Sequence, residues 1–218
     1  MQKFIIFSVL STALLAPELV NAAETTELKV TGSVRPPACI PSFTGDGVID
    51  YGTIPAKSLK AGQFTALPAK DISLTITCTA ATQVAYRVAD NRTSSKVYGI
   101  AGPDVFDDFG NYGLGRSDGK NIGGYKIQFT TNNSADSVAA RNITSVNGQP
   151  WYANDYGNVN ADIRYRFGFT TTASAQPSAF KQLVTTLRVS AFINKPEELN
   201  LTHDVPLDGS ATFEILYM

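Results

Sequence analysis

Several short segments of this chain alternate apolar and polar residues with a period of two, which is typical of β-strands that bury one face. The last segment is the clearest, because its apolar residues share one face while Thr212 and Glu214 point the other way. These apolar residues are Ala211, Phe213, Ile215 and Tyr217. A chain that ends on such a strand needs it docked against other structure, since terminal residues are otherwise poorly held. The alternative interpretation is an ordinary core strand that happens to come last.

Further strands are predicted where alternating or β-branched runs lie between Gly, Asn, Pro and Ser residues. The segment 71–78 places Cys78 on its apolar face, and 83–88 follows after a short turn, as the second arm of a hairpin would. The other predicted strands are 28–34, 125–130, 163–170, 183–193 and a short one at 205–207. Many short strands without helical periodicity predict an all-β fold, a β-sandwich with immunoglobulin-like layering.

The segment Gly99–Gly124 departs from this rhythm, because it is rich in glycine and aspartate. Asp107, Asp108 and Asp118 lack the alternation and the closing glutamate of an EF-hand loop, which disfavours a calcium site. We interpret the segment as a long surface connection at a sheet edge.

The first residues have the features of an export signal. Lys3 precedes a short apolar run, Phe4–Leu15, and Val20-Asn21-Ala22 places small residues before a cleavage point after Ala22. The run is shorter than the roughly 20 residues that a membrane span needs. We therefore expect residues 1–22 to be a signal peptide and the mature chain to be exported.

The remaining chain is long enough for one well-buried domain. Its formal net charge of −1 and the lack of a basic block argue against a nucleic-acid partner. The two cysteines of the sequence, Cys39 and Cys78, predict one disulfide in an exported protein, with two free buried thiols as the alternative.

Catalytic patterns are sparse in this sequence. His203 is the single histidine, lies beside Asp204 and is interpreted as a loop residue. The His-Glu-x-x-His and Cys-x-x-Cys patterns are missing. We therefore expect no enzyme activity, no catalytic residues, no metal site and no cofactor.

Four stretches share an order known from one protein family. Residues 28–34 alternate around Gly32, which lies seven positions before Cys39; residues 50–54 and then 72–78 lie between the cysteines; and 211–218 ends on a penultimate Tyr217. In this order the chain resembles the pilins of the chaperone–usher pathway, as in type 1-like fimbriae of Gram-negative bacteria. The resemblance is good at both ends of the chain and poor over Gly99–Trp151. Within the family, the chain is similar to the beta-fimbria-type major subunits.

This resemblance implies an incomplete immunoglobulin-like sandwich, the pilin domain 37–218, preceded by a disordered N-terminal extension, residues 23–36, that acts as donor strand. The inserting residues would be Leu28, Val30, Gly32 and Val34. The acceptor groove, which also binds the chaperone, would be edged by Ala211, Phe213, Ile215 and Tyr217. The implied partners are other pilin subunits, in a homopolymer or mixed fibre, a periplasmic chaperone and an outer-membrane usher. The implied product is a fimbrium at the cell surface that serves cell adhesion by donor-strand complementation, without a cofactor.

Two other interpretations remain open at this point. Residues 28–34 are, in the first, simply the initial strand of the chain's own sandwich. In the second, the protein is a secreted or periplasmic β-sandwich carbohydrate-binding protein with an aromatic platform. That platform would consist of Tyr112, Trp151, Tyr152 and Tyr156.

Overall fold

The computed structural model describes residues 25–34, 38–102 and 108–218, so the expected signal peptide lies outside the described residues. The chain divides into one unit that ends at Arg35 and a second unit, Pro36–Met218. In the first unit, residues 25–34 form no strand, and the Leu28, Val30 and Val34 side chains are 88%, 91% and 101% exposed. A first strand at 28–34 is therefore not formed in this structure.

The second unit is built from β-strands. They are β1 (Cys39–Phe43), β2 (Thr65–Ala66), β3 (Lys70–Asp90), β4 (Asn111–Gly113), β5 (Arg116–Ser117), β6 (Lys120–Asn121), β7 (Gly123–Ala135), β8 (Val138–Ala139), β9 (Arg141–Val146), β10 (Trp151–Ala153), β11 (Asn158–Val159), β12 (Tyr165–Thr170), β13 (Ala179–Ile193) and β14 (Ala211–Tyr217). Short 3₁₀ turns cover Thr44–Gly47, Ala56–Ser58, Thr93–Ser95 and Pro196–Glu198.

The strands form two layers of antiparallel pairs. The first layer contains β1, the first half of β3, β13 and β7, with β2 beside β13 and with β4, β11 and β8 along the other edge of β7. The second layer contains, in order, β14, the second half of β3, β12, β9 and β10. Because β3 belongs to both layers, they form one continuous curled sheet.

The hairpin predicted from 71–78 and 83–88 is wrong, because both segments lie in the single long strand β3. The residues between them, Thr79–Thr82, contain no Gly, Pro, Asn or Asp and continue the strand. The pairing of β3 with β13 shifts register between Phe180 and Gln182, and such irregularities bend a strand. The bend redirects β3 from the first layer to the second.

The core between the layers confirms the predicted all-β, immunoglobulin-like sandwich. Alternate residues of β3 are buried, as the period-two pattern predicts; Leu74 and Ile76, for example, are 1% and 0% exposed. Across the layers, the rings of Tyr86 on β3 and Phe129 on β7 lie edge to face with centroids 5.5 Å apart. Tyr86 also stacks on Phe167 at 6.0 Å. Aromatic contacts therefore contribute much of the buried apolar area.

The predicted disulfide is confirmed. Cys39 and Cys78 face each other in the β1–β3 ladder and are bonded, with an S–S distance of 2.05 Å. The bond ties β1 covalently to the strand that is shared by both layers.

The surface connection predicted over Gly99–Gly124 is wrong for its second half. All three residues of β4 are buried, and β4 pairs with the start of β7. A Cβ atom on Gly123 would lie 2.1 Å from the carbonyl oxygen of Phe192. Glycine at this position therefore allows close strand packing. The short strand predicted at 205–207 is also wrong, because this segment is not in a strand.

Candidate functional site

The last strand has one unpaired edge. Over its seven residues β14 pairs antiparallel with β3, from Ala211 opposite Asp90 to Tyr217 opposite Val84. Among the described strands no second one pairs with β14, so its other edge presents unpaired backbone N–H and C=O groups. An edge of this kind is a ready template for another strand.

A groove of about 780 Å³ opens beside the start of this strand. We call residues 47–54 its first wall and residues 204–213 its second wall. Its floor consists of apolar side chains from β3, β7 and β13, namely Ile72, Tyr125, Ile127, Leu187, Val189 and Ala191. These floor side chains belong to the sandwich core and are only 1–8% exposed, so the groove reaches the core through a narrow opening along a sheet edge.

One end of the groove is bridged by side chains, whereas the other end continues. At the bridged end the rings of Phe43 and Phe213 meet edge to face at 5.1 Å, and the Cys39 backbone N–H donates to the Tyr217 hydroxyl oxygen at 2.8 Å. At the other end a second cavity of about 360 Å³ shares five lining residues with the groove. The shared residues are Thr53, Ile54, Asp204, Val205 and Leu207.

The first wall is held by side chains. Within the described residues, the backbone of residues 49–54 makes no backbone–backbone hydrogen bond. Instead the Tyr51 hydroxyl donates to the Val189 carbonyl at 3.2 Å, and burial raises the pKa of that phenol. Gly52 has φ +63°, and its N–H donates to the Asp50 carboxylate at 2.7 Å. The Gly52 N–H and the Asp50 carbonyl, which binds Lys70, are therefore occupied, whereas the rest of the 49–54 backbone makes no backbone–backbone hydrogen bond among the described residues.

The second wall is anchored more firmly. The Asp208 N–H donates to the Leu114 carbonyl at 3.0 Å, and its carboxylate accepts two hydrogen bonds from Arg92 at 2.8 and 2.9 Å. This bidentate pair lowers the pKa of Asp208. Gly209 lies so close to the core that a Cβ atom there would meet the Tyr125 ring at 2.9 Å. The absence of a side chain at Gly209 lets the wall approach the floor.

Only some of the site residues predicted on β14 line the groove. Ala211 and Phe213 line it, and Ile215 packs on the core further along β14. Tyr217 is 53% exposed at the bridged end. Most residues of both walls were not predicted as site residues, although 50–54 belongs to the resemblance and 205–207 was predicted as a short strand.

The features considered for chemistry or sugar binding have other contacts. His203 lies in the loop that leads into the second wall, and its Nε2 is 2.6 Å from an Asp118 carboxylate oxygen. The pKa of His203 is raised by the Asp204 carbonyl and then by Asp118. Within residues 25–34, 38–102 and 108–218, no group of three or more His, Cys, Asp or Glu residues is arranged to hold a metal. Tyr112 and Trp151 are 0% and 5% exposed, so the four-residue aromatic platform is not formed.

None of the helices in the described part of the chain has the length and apolar character needed to cross a membrane.

The fold and the groove together define an immunoglobulin-like β-sandwich with an open sheet edge at β14. A family model described as "Protein of unknown function (DUF1120)" matches residues 28–126. "Uncharacterized protein YhcF" of Escherichia coli strain K12 is 25% identical over 222 aligned residues, which cover 91% of this chain and 92% of that protein. "Protein GltF" of the same strain is 26% identical over 224 residues, with 88% of each chain covered. The similarity therefore extends over nearly the whole length of both relatives.

Proposed function

We propose that this protein is a structural fimbrial subunit, exported through the periplasm, that polymerises into a surface fibre by donor-strand exchange. Residues 28–34 of one copy insert into the groove of the next copy and pair with the free edge of β14. The observation that carries this proposal is an apolar groove beside an unpaired strand, in a chain whose own extension exposes alternate apolar residues. This is β-augmentation, in which backbone bonds give affinity and alternate side chains give register.

The energetics support a stable junction. Leu28, Val30 and Val34 are almost fully exposed in the described extension, and burying each would contribute about 1.5–3 kcal/mol. Each ladder hydrogen bond adds about 0.5–1.5 kcal/mol net. Ordering the extension costs about 1–2 kcal/mol per residue, so the junction needs both the buried side chains and the ladder. A head-to-tail contact that does not close on itself generates a filament.

The proposal includes helper proteins for the empty groove. Before assembly, the free β14 edge beside the apolar groove is an aggregation hazard. A periplasmic chaperone that lends a strand would cover the groove and the free edge of β14. An outer-membrane usher would then exchange that strand for the extension of the next subunit. The role of the protein would then be mechanical and adhesive, without catalysis.

A matched pair of substitutions tests the insertion. Val30→Lys places a charge on the inserting face, whereas Thr31→Lys places the same group on the opposite face of the same strand. We expect Val30→Lys to abolish filaments in electron microscopy and Thr31→Lys to retain them. A peptide of residues 27–35 should bind the Val30→Lys chain and raise its melting temperature. A chain that stays monomeric, folds reversibly and ignores the peptide would contradict the proposal.

A further inference from the structure

The walls of the groove carry acidic residues. The first wall, 47–54, contains Asp50 and is directly preceded by Asp46, and the second wall, 204–213, contains Asp204 and Asp208, whereas neither wall contains Lys or Arg. Arg92 pairs with Asp208. The carboxylates of the other three have no ion-pair partner among the described residues.

Asp50 and Asp204 are the unpaired carboxylates that line the groove itself, one on each wall. Both residues are exposed. The Lys70 ammonium group binds the Asp50 backbone carbonyl and lies 5.3 Å from the centre of the Tyr51 ring, and the Gly52 N–H donates to one oxygen of the Asp50 carboxylate. Asp204 follows His203, whose ring is paired with Asp118 and also interacts electrostatically with Asp204. Neither the Asp50 nor the Asp204 carboxylate forms an ion pair within the described ranges, so both can face an incoming cation at the rim.

The proposed occupant has the opposite charge. Residues 28–35 contain Lys29 and Arg35 and no acidic residue. Lys29 alternates with the apolar residues, so it faces away from the floor when Leu28 and Val30 point into the groove. In the described extension, Lys29 is paired only with the exposed Glu27, at 3.6 Å, a weak contact that is easily exchanged.

We propose that Asp50 and Asp204 form an acidic rim that selects the inserted strand by its outward basic residue, Lys29. The inference rests on the proposed function and identifies the preferred occupant as a second copy of this chain. A strand with the same apolar alternation but an acidic outward residue is rejected, because like charges across neighbouring strands are destabilising. The rim also steers the approach of the extension, an effect that salt screens.

The expected effects are moderate because all the charges are exposed. An exposed opposite-charge pair changes affinity by about two- to fivefold, and reversing one charge roughly doubles the effect on a logarithmic scale. Lys29→Glu in the peptide should therefore weaken binding by about tenfold at low salt.

The test uses the full chain carrying Val30→Lys as acceptor, with labelled peptides of residues 27–35 in native and Lys29→Glu forms. Asp204→Lys in the acceptor should remove the preference for the native peptide, because the new cation offsets the remaining Asp50 carboxylate. Asp50→Asn with Asp204→Asn should flatten the salt dependence, and Asn at position 50 retains the oxygen that Gly52 binds. Asp155→Lys, the same charge change outside the groove lining, is the matched control and should change little.

The outcomes separate the two proposals. Equal affinity for both peptides, or an Asp204→Lys effect no larger than that of Asp155→Lys, overturns the acidic rim and leaves strand insertion intact. Failure of the native peptide to bind any acceptor overturns strand insertion and the acidic rim together.

Discussion

The two outer strands of the second layer, β10 and β14, differ in how their free edges are protected against pairing with another chain. β10 has three residues, and Pro150 stands immediately before it, whereas β14 has seven residues and no proline. Short edge strands and nearby prolines are the usual protection against pairing with another chain. The β14 edge has neither device and adjoins an apolar groove. One edge of the same sheet is therefore protected and the other is left open to a partner strand.

The largest expected difference between the two edges concerns their aromatic residues. Phe213 on β14 contacts Phe43 and lies near the Tyr86 ring, so Phe213→Ala should lower the free energy of unfolding by about 2–3 kcal/mol. Tyr152 on β10 is 60% exposed, and Tyr152→Ala should change the free energy of unfolding by less than about 0.5 kcal/mol. Urea unfolding of both variants at low protein concentration measures the difference. Equal losses would show that the two edges support the core alike.

A smaller effect is expected at Gly209, where the second wall approaches the core. A Cβ atom there would lie 2.9 Å from Tyr125 and 3.0 Å from Leu114, so Gly209→Ala should cost about 1–2 kcal/mol of stability. Gly32→Ala is the matched control, because a Cβ atom at Gly32 has no neighbour within 4 Å. Its unfolding free energy should stay unchanged. A Gly209→Ala protein as stable as the native one would mean that the wall can move outward freely.

The smallest effect concerns the ion pair of His203 and Asp118 beside the second wall. The pKa of His203 is raised by the Asp204 carbonyl and by Asp118, so its contribution is complete below about pH 6.5 and is lost as the pH rises through the raised value. The pKa of Asp118 is lowered, chiefly by the hydrogen bond with His203, so its contribution is present above about pH 3.8 and is lost as the pH falls through the lowered value. Both contributions are therefore present between these limits.

Melting temperatures of the native chain and of His203→Gln check this window. The native chain should melt at a higher temperature near about pH 5, and the two curves should converge near about pH 9. Asp118→Asn should behave like His203→Gln. A difference that is constant across the whole pH range would contradict the ion pair.

Local patterns predicted the edges of this fold better than its middle. The period-two alternation identified β14 over the same residues as the structure, and it placed Cys78 on the buried face of β3. These features depend on short stretches of sequence in which one face is apolar. The disulfide was predicted from the even cysteine count together with the expected export signal.

Other features depend on contacts between distant residues, which local patterns do not contain. The bend in β3 is linked to a register shift opposite Phe180, about one hundred residues further along the chain. β4 is buried because β7 accepts it as a neighbour, although its sequence, Asn111-Tyr112-Gly113, has the composition of a turn. The groove arises where the two walls, separated by about 150 residues, meet a shared floor. Only the folded chain brings these segments together.

The position of β3 in both layers has a mechanical consequence. β1 is bonded covalently to β3 through the disulfide, and β14 is held to β3 by a ladder over all its residues. β1 and β14, which lie on either side of the bridged end of the groove, are therefore both attached to β3. Tension transmitted through a strand inserted beside β14 would load that ladder in shear, with many hydrogen bonds sharing the force at once, and would not peel them apart one by one.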